Sequence, residues 1–282
     1  MSLSLLVSPL VPALSFAFPG LGVDIAEYST GPTGITFFHF PERGYAAVDV
    51  RGGSPGTTFS DASRTACGNQ RSENAIVPTA VVFDDKGRDN DVRPDRALGL
   101  AALHSTREDW FPCGARGAGR FVHCGTYFGQ ACMEQSGQGA GFGEFGRTKR
   151  GVFTVVVNAV GVVVNRQGQP VLGNLDCRSG LRSQVAEDLR RAKTTPTDLA
   201  AGAGMSENTT LTWLVTNRQL RREDLQRLVV ATPTSMARAI QPLHRERDGD
   251  TFFAVATAEG STSDPHLCDL WVFRPNLPGM PC

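Results

Sequence analysis

Three short segments carry residue types that acyl transfer uses: Asn208-Thr209-Thr210, Asp248-Gly249-Asp250, and Asn158 at the end of Val156-Val157-Asn158. A threonine hydroxyl is a weak nucleophile at neutral pH. It becomes effective when a base lies within hydrogen-bond reach, and the α-amine of the same residue is one compact solution. Thr209 gains such an amine only if the chain breaks after Asn208. Its hydroxyl can make that break by attacking the preceding carbonyl, giving an ester that water resolves. Read alone, the segment is more simply the start of a Ser/Thr-rich strand, and formally an N-glycosylation pattern. Asp248 and Asp250 flank a glycine before an apolar run. They can orient an ammonium and a hydroxyl, and each raises the pKa of the other; an Asp-Gly turn is the plainer reading. Asn158 closes a buried strand, where an amide is costly unless hydrogen-bonded. Its NH₂ suits a developing oxyanion, and a turn asparagine between two strands is the alternative.

Other chemistry is not supported. The five histidines have no metal-ligand spacing, and His244 reads as structural. Gly117-Ala118-Gly119 lacks the Lys-Ser/Thr of a P-loop, and no G-x-S-x-G elbow is present. The seven cysteines are odd in number and include no C-x-x-C pair, which argues against a zinc site or disulfide framework and for free thiols in a reducing, cytoplasmic setting. No metal or cofactor is expected.

The elements that must position these residues are mostly strands. Leu14–Phe18, Gly22–Tyr28, Thr33–Phe40, Gly44–Val50, Thr79–Phe83, Val152–Asn158, Val160–Asn165, Thr209–Thr216 and Thr251–Thr257 are predicted strands from their β-branched and aromatic runs. Helices are predicted over Pro94–His104, Leu181–Lys193 and Arg222–Ile240, the last ended or kinked at Pro233. Glycine clusters such as Ser136–Gly141 read as tight turns and close backbone approaches around a site. Residues 193–207 are small and polar and read as an exposed linker before the Thr209 strand. The fold class expected is α/β, in one layered domain over residues 1–282.

Lys+Arg and Asp+Glu are balanced at 28 each, so no electrostatic partner such as nucleic acid or an anionic membrane is expected. No apolar run reaches the ~20 residues of a bilayer span. Met1–Ala17 is apolar, but no Lys or Arg precedes Arg43, so a secretory signal is not expected.

In order along the chain stand Phe18-Pro19-Gly20, Glu27-Tyr28, Gly31-Pro32-Thr33-Gly34, Ala47-Val48-Asp49-Val50-Arg51-Gly52-Gly53 and Arg93-Pro94-Asp95. Then come Ala97-Leu98-Gly99, Gly117-Ala118-Gly119, Ser136-Gly137-Gln138-Gly139, Val157-Asn158-Ala159-Val160-Gly161, Asn208-Thr209-Thr210, Ser235–Pro242 and Asp248-Gly249-Asp250. In that order they resemble the self-processing aminopeptidase family typified by DmpA and the β-aminopeptidases, nearest its nylon-oligomer hydrolase branch. The resemblance implies an α/β/β/α sandwich like that of N-terminal-nucleophile hydrolases. It implies autocleavage between Asn208 and Thr209 into an α chain (1–208) and a β chain (209–282). It also implies Thr209 as nucleophile, Asp248 and Asp250 as its orienting carboxylates, and Asn158 near the oxyanion. The implied substrate is a peptide or small linear amide, with no cofactor, and the implied assembly is a homo-oligomer of αβ units. Thr126 stands where the nylon-oligomer branch carries a lysine, and Phe83 where it carries a tyrosine, so both are candidate substrate-binding positions. Ser60–Val77 is shorter than the family's glycine-rich segment there, and its C-terminal helix is not evident in Ser261–Cys282. A non-cleaving relative, or an acyltransferase of the same fold, is the competing reading.

Overall fold

A computed structural model describes residues 12–55, 78–84, 87–191 and 208–258. The 193–207 linker, Ser60–Val77 and Ser261–Cys282 lie outside the described residues. The chain runs β1 (Ala13–Ser15), β2 (Gly22–Tyr28), β3 (Thr33–His39), β4 (Tyr45–Val50), helix α1 (Arg96–His104), β5 (Trp110–Pro112), β6 (His123–Cys124), β7 (Glu134–Gln135), β8 (Gly139–Phe145), β9 (Thr148–Asn158), β10 (Val162–Val164) and β11 (Pro170–Leu172). It continues with α2 (Val185–Arg191), β12 (Thr209–Thr216), α3 (Arg222–Met236), β13 (Ile240–Gln241) and β14 (Thr251–Ala256).

The central sheet has the order β4-β14-β12-β9-β8. β12 and β14 are parallel, and every other pair in it is antiparallel. Side chains alternate across this sheet, as the two-residue period requires. Phe153, Val215, Val255 and Ala140 face one way and meet Phe16, Phe18, Leu21 and Val23, with Phe38 partly buried among them. Leu214, Phe252, Ala254 and Ala256 face the other way, onto Leu225, Leu228 and Val229 of α3. α1 covers the outer side of the β2–β3 pair through Leu98 and Ala102, which pack on Ala26 and Tyr28. Helix, sheet, strand pair and helix therefore stack in four layers, the expected α/β/β/α order.

α1 begins where its chemistry starts it. The Asp95 carboxylate accepts the Leu98 N–H at 2.9 Å, capping the first turn. The same oxygen takes the Tyr28 hydroxyl at 2.8 Å and ties the helix to β2. α3 carries Pro233 inside its last turn and continues to Met236, so the proline does not end it. Residues 240 and 241 belong to β13, and the predicted helix to Ile240 is corrected. α2 begins at Val185, because residues before it form a bridge between Leu175 and Arg182.

Two further predictions fail. Thr79–Phe83 forms no strand. Ala80 and Val82 pack on Val122, Val156 and Leu211 while Val81 is 62% exposed, so the β-branched alternation buries a face without building a ladder. Conversely, the Gly139–Phe145 segment, read in part as turns, is a strand: Ala140 and Phe142 face the core while glycines alternate with them along β9. Cys113, Cys124, Cys132 and Cys177 are free thiols. No helix among the described residues is long and apolar enough to cross a membrane.

Candidate active site

The site lies at one end of β9, β12 and β14, and strand register assembles it. Along the β12–β14 ladder each residue of β12 pairs with the residue 40 positions later, and the isolated bridge between Asn208 and Asp248 keeps the same offset. Asn208-Thr209-Thr210 is thereby laid alongside Asp248-Gly249-Asp250. On the other flank Thr209 pairs with Asn158 of β9. That pairing depends on an irregularity opposite Leu211 and Thr212, where β9 carries one extra residue, Val155. Without the extra residue Asn158 would face Asn208, and its side chain would point to the other side of the sheet.

Asn158, Asn208, Thr209, Asp248 and Asp250 are all buried, each 4% exposed or less. Buried polar groups require partners, and here the partners fix the geometry. The Gly249 N–H donates to the Asn208 carbonyl oxygen at 2.6 Å. Gly249 also lies against the Thr209 hydroxyl: a Cβ on residue 249 would stand 2.8 Å from Thr209 Oγ1. The Thr210 N–H donates to Asp250 Oδ1 at 2.6 Å. Asn158 Nδ2 donates to the Phe83 carbonyl at 3.0 Å, so the Thr79–Phe83 segment crosses the end of the strands. Phe83 thus enters through its backbone, and the residue is 37% exposed. Thr126 is buried beside Asn208, with its Oγ1 3.1 Å from Asn208 Oδ1. It is set there by Gly125, whose N–H reaches the Ala159 and Gly161 carbonyls at the β9–β10 turn.

The Asp-Gly-Asp segment is braced from behind. Arg51 and Gly52 donate their N–H groups to the Asp250 carbonyl, and Ser54 donates to that of Asp248. Any side chain on residue 52 would run into the Asp248 carbonyl oxygen. Gly52→Ala is therefore expected to displace Asp248 and lower the melting temperature, by about 1–3 kcal/mol of overpacking. An unchanged thermal transition would show that this brace is dispensable.

Asp248 is the electrostatic outlier. Burial, then the charge of Asp250, push its carboxyl up to about 6, against the pull of the Arg245 N–H and the Arg245 and His244 charges. Oδ2 accepts the Arg245 N–H at 2.7 Å. Oδ1 is buried and has no hydrogen-bond partner among the described residues.

Sequence reasoning read His244 as structural and did not place it at the site. It has φ 61, unusual for a non-glycine residue. That turn brings both its N–H, at 3.1 Å, and its ring Nδ1, at 2.9 Å, onto Asp250 Oδ2. A carboxylate only accepts, so with Asp250 ionised Nδ1 carries the proton. The available signal was its place four residues before Asp248 after a Gln-Pro turn, which is weak without the register. Arg245 was missed as well. Its guanidinium stacks over the Tyr127 ring at 4.8 Å.

The layered frame has counterparts among solved structures. The L-aminopeptidase D-Ala-esterase/amidase of Ochrobactrum anthropi, described as a variant of the N-terminal-nucleophile hydrolase fold, aligns with a TM-score of 0.54 at 17% identity. That alignment covers 84% of this chain and 72% of that one. A Burkholderia sp. β-aminopeptidase aligns with a TM-score of 0.51 at 16% identity, covering 88% and 75%. The fold is thus that of the N-terminal-nucleophile hydrolases. In sequence, the 6-aminohexanoate-oligomer endohydrolase of Paenarthrobacter ureafaciens is 36% identical over 272 residues, covering 87% of this chain and 75% of that protein. The model of peptidase family S58 matches residues 60–274. The chain belongs to peptidase family S58, and it is a hydrolase of amide bonds.

Proposed function

We propose that the chain cleaves itself between Asn208 and Thr209, and that the released Thr209 then hydrolyses linear amides of the peptide or nylon-oligomer kind. The observation that carries this is the contact of Gly249 with both partners of the first step. Its N–H holds the Asn208 carbonyl at 2.6 Å, and its Cα side packs on the hydroxyl that would attack that carbonyl.

The chemistry is set by these contacts. Thr209 Oγ1 attacks the Asn208 carbonyl carbon and gives its proton to a base, a role that the raised carboxyl of Asp248 suits. Negative charge then develops on the oxygen that Gly249 N–H already holds, which is where a fixed donor is most useful. Collapse breaks the Asn208–Thr209 C–N bond, a proton passes to the leaving nitrogen, and an ester joins Asn208 to Thr209 Oγ1. Water hydrolyses that ester, leaving a carboxylate on Asn208 and a free amine on Thr209. The unsatisfied Asp248 Oδ1 suits that new ammonium, since a buried acceptor without a partner is costly and a new donor relieves it. In each later turnover the Thr209 amine takes the hydroxyl proton, and the substrate carbonyl occupies the place vacated by Asn208.

Mass spectrometry of the purified protein tests the first step. Two chains, 1–208 and 209–282, are expected, and a single unbroken chain after long incubation would overturn the reading.

The raised Asp248 carboxyl sets a pH dependence. Protonated, it neither accepts the hydroxyl proton nor holds an ammonium, so cleavage should fall about tenfold per pH unit below about 6. Stability runs the other way. The native state binds the Asp248 proton more tightly than the unfolded chain, so this group favours folding below its ordinary value of 3.8. That contribution is lost as pH rises through about 6. Asp250→Asn removes the neighbouring charge and should move the acid limb of cleavage to lower pH. A limb that stays in place would exclude Asp248 as the titrating group.

A further inference from the structure

In self-cleavage Asn208 is the acyl residue, so the walls around it are the walls of the acyl side of the site, and a subsite built from them rests on the self-cleaving reading. Two connections lead from Asn208 to one cationic group. Through its carboxamide, Asn208 Oδ1 meets Thr126 Oγ1 at 3.1 Å, and the next residue is Tyr127. Through the ladder, Asn208 pairs with Asp248, whose Oδ2 takes the Arg245 N–H. The loop closes where the Arg245 guanidinium lies over the Tyr127 ring at 4.8 Å.

That guanidinium is half-buried and makes no hydrogen bond or ion pair among the described residues. Neither nearby carboxylate forms an ion pair with it, although Asp248 feels its charge. Asp250 is held by Thr210 and His244, and Asp248 by the main-chain N–H of Arg245 itself. An aromatic shelf orients a guanidinium and leaves its planar fork of donors open. A partly desolvated cation without a direct ion pair is unfavourable, and an arriving carboxylate relieves it with paired, charge-assisted bonds. The side chain that Thr126 now meets points the same way. It offers Thr126 an acceptor oxygen, on a short polar chain, and not an ammonium.

We propose that Thr126, Tyr127 and Arg245 form an acyl-side subsite for a chain ending in a carboxylate, so that the favoured substrates are half-amides of short dicarboxylic acids or acyl residues with acidic side chains. Thr126 donates to an acceptor oxygen along the acyl chain. Arg245 pairs with its terminal carboxylate. An acyl chain ending in an ammonium meets like charge at the same place.

Three 4-nitroanilides of matched length test this: glutaryl, 4-aminobutyryl and pentanoyl. With the self-processed protein, kcat/KM for the glutaryl compound should exceed that for the 4-aminobutyryl compound by about tenfold or more, as a charge-assisted pair replaces a like-charge contact. Arg245→Gln should bring the ratio close to one, and Arg245→Lys should keep the glutaryl preference. Wild-type preference for the 4-aminobutyryl compound would overturn the subsite, as would a glutaryl preference that survives in a processed Arg245→Gln protein. In both cases chain splitting and hydrolysis persist, so the hydrolase reading stands. A chain that neither splits nor releases nitroaniline from any of the three would remove that reading and the subsite with it.

Discussion

Thr209→Ala is expected to yield a single intact chain and to lower amide hydrolysis by about four orders of magnitude or more, the scale seen when a nucleophile is removed. The substitution takes away one hydroxyl and one methyl from a buried strand end and leaves every backbone contact of the site in place. Residue 209 keeps its pairing with Asn158, Gly249 keeps its bond to the Asn208 carbonyl, and Thr210 keeps its bond to Asp250. The folded state should therefore change by only about 1 kcal/mol, and the loss of function cannot be put down to unfolding. Thr209→Ser supplies the control, because it restores the hydroxyl without the methyl group. It should split into 1–208 and 209–282, visible as two masses, while the alanine variant stays whole. An alanine variant that splits at the same bond would show that some group other than the Thr209 hydroxyl breaks it.

The residues of this site were legible one by one, but their neighbourhood was not. Thr209, Asn158 and Asp248 each stand where an apolar run begins or ends, and local pattern reading finds such positions. Nothing local says that β12 pairs in parallel with β14 at an offset of 40 residues, or that β9 gains an extra residue at Val155. Those facts bring the three together, and they arise from which faces must be buried across the whole sheet. The ordered motifs of the family stood in for that missing information, because a shared fold carries its register with it. They said nothing about His244 and Arg245, which act through a turn and an aromatic shelf. The same limit explains Thr79–Phe83. Its alternating residues have the composition of a strand, and the tertiary structure uses them as a cover over Val122, Val156 and Leu211. The glycines of β8 mislead in the opposite direction: their composition suggests turns and close approaches, yet they alternate along a strand paired with β9.

Gly249→Ala is expected to slow self-cleavage by about a hundredfold to a thousandfold, the range for loss of one oxyanion donor or of attack geometry. The added Cβ would stand 2.8 Å from Thr209 Oγ1, 3.1 Å from the Ser54 carbonyl oxygen and 3.4 Å from Pro55 Cα. The first distance is too short to persist, so something must move. The Ser54 side is held by its own N–H bond to Asp248, and Thr209 begins a strand paired on both flanks. The yielding elements are then the Thr209 hydroxyl and the Gly249–Asn208 bond, which are the two parts that the first chemical step uses. Intact mass measured over time should show the precursor persisting, while the melting temperature falls by the equivalent of about 1–3 kcal/mol. A double-mutant cycle separates this clash from general damage to the turn. Thr209→Ala removes the atom that the new Cβ meets, so Gly249→Ala should destabilise the Thr209→Ala background less than the wild type, with a coupling of about 0.5 kcal/mol or more. Additive effects would place the cost in the turn itself and detach Gly249 from the nucleophile.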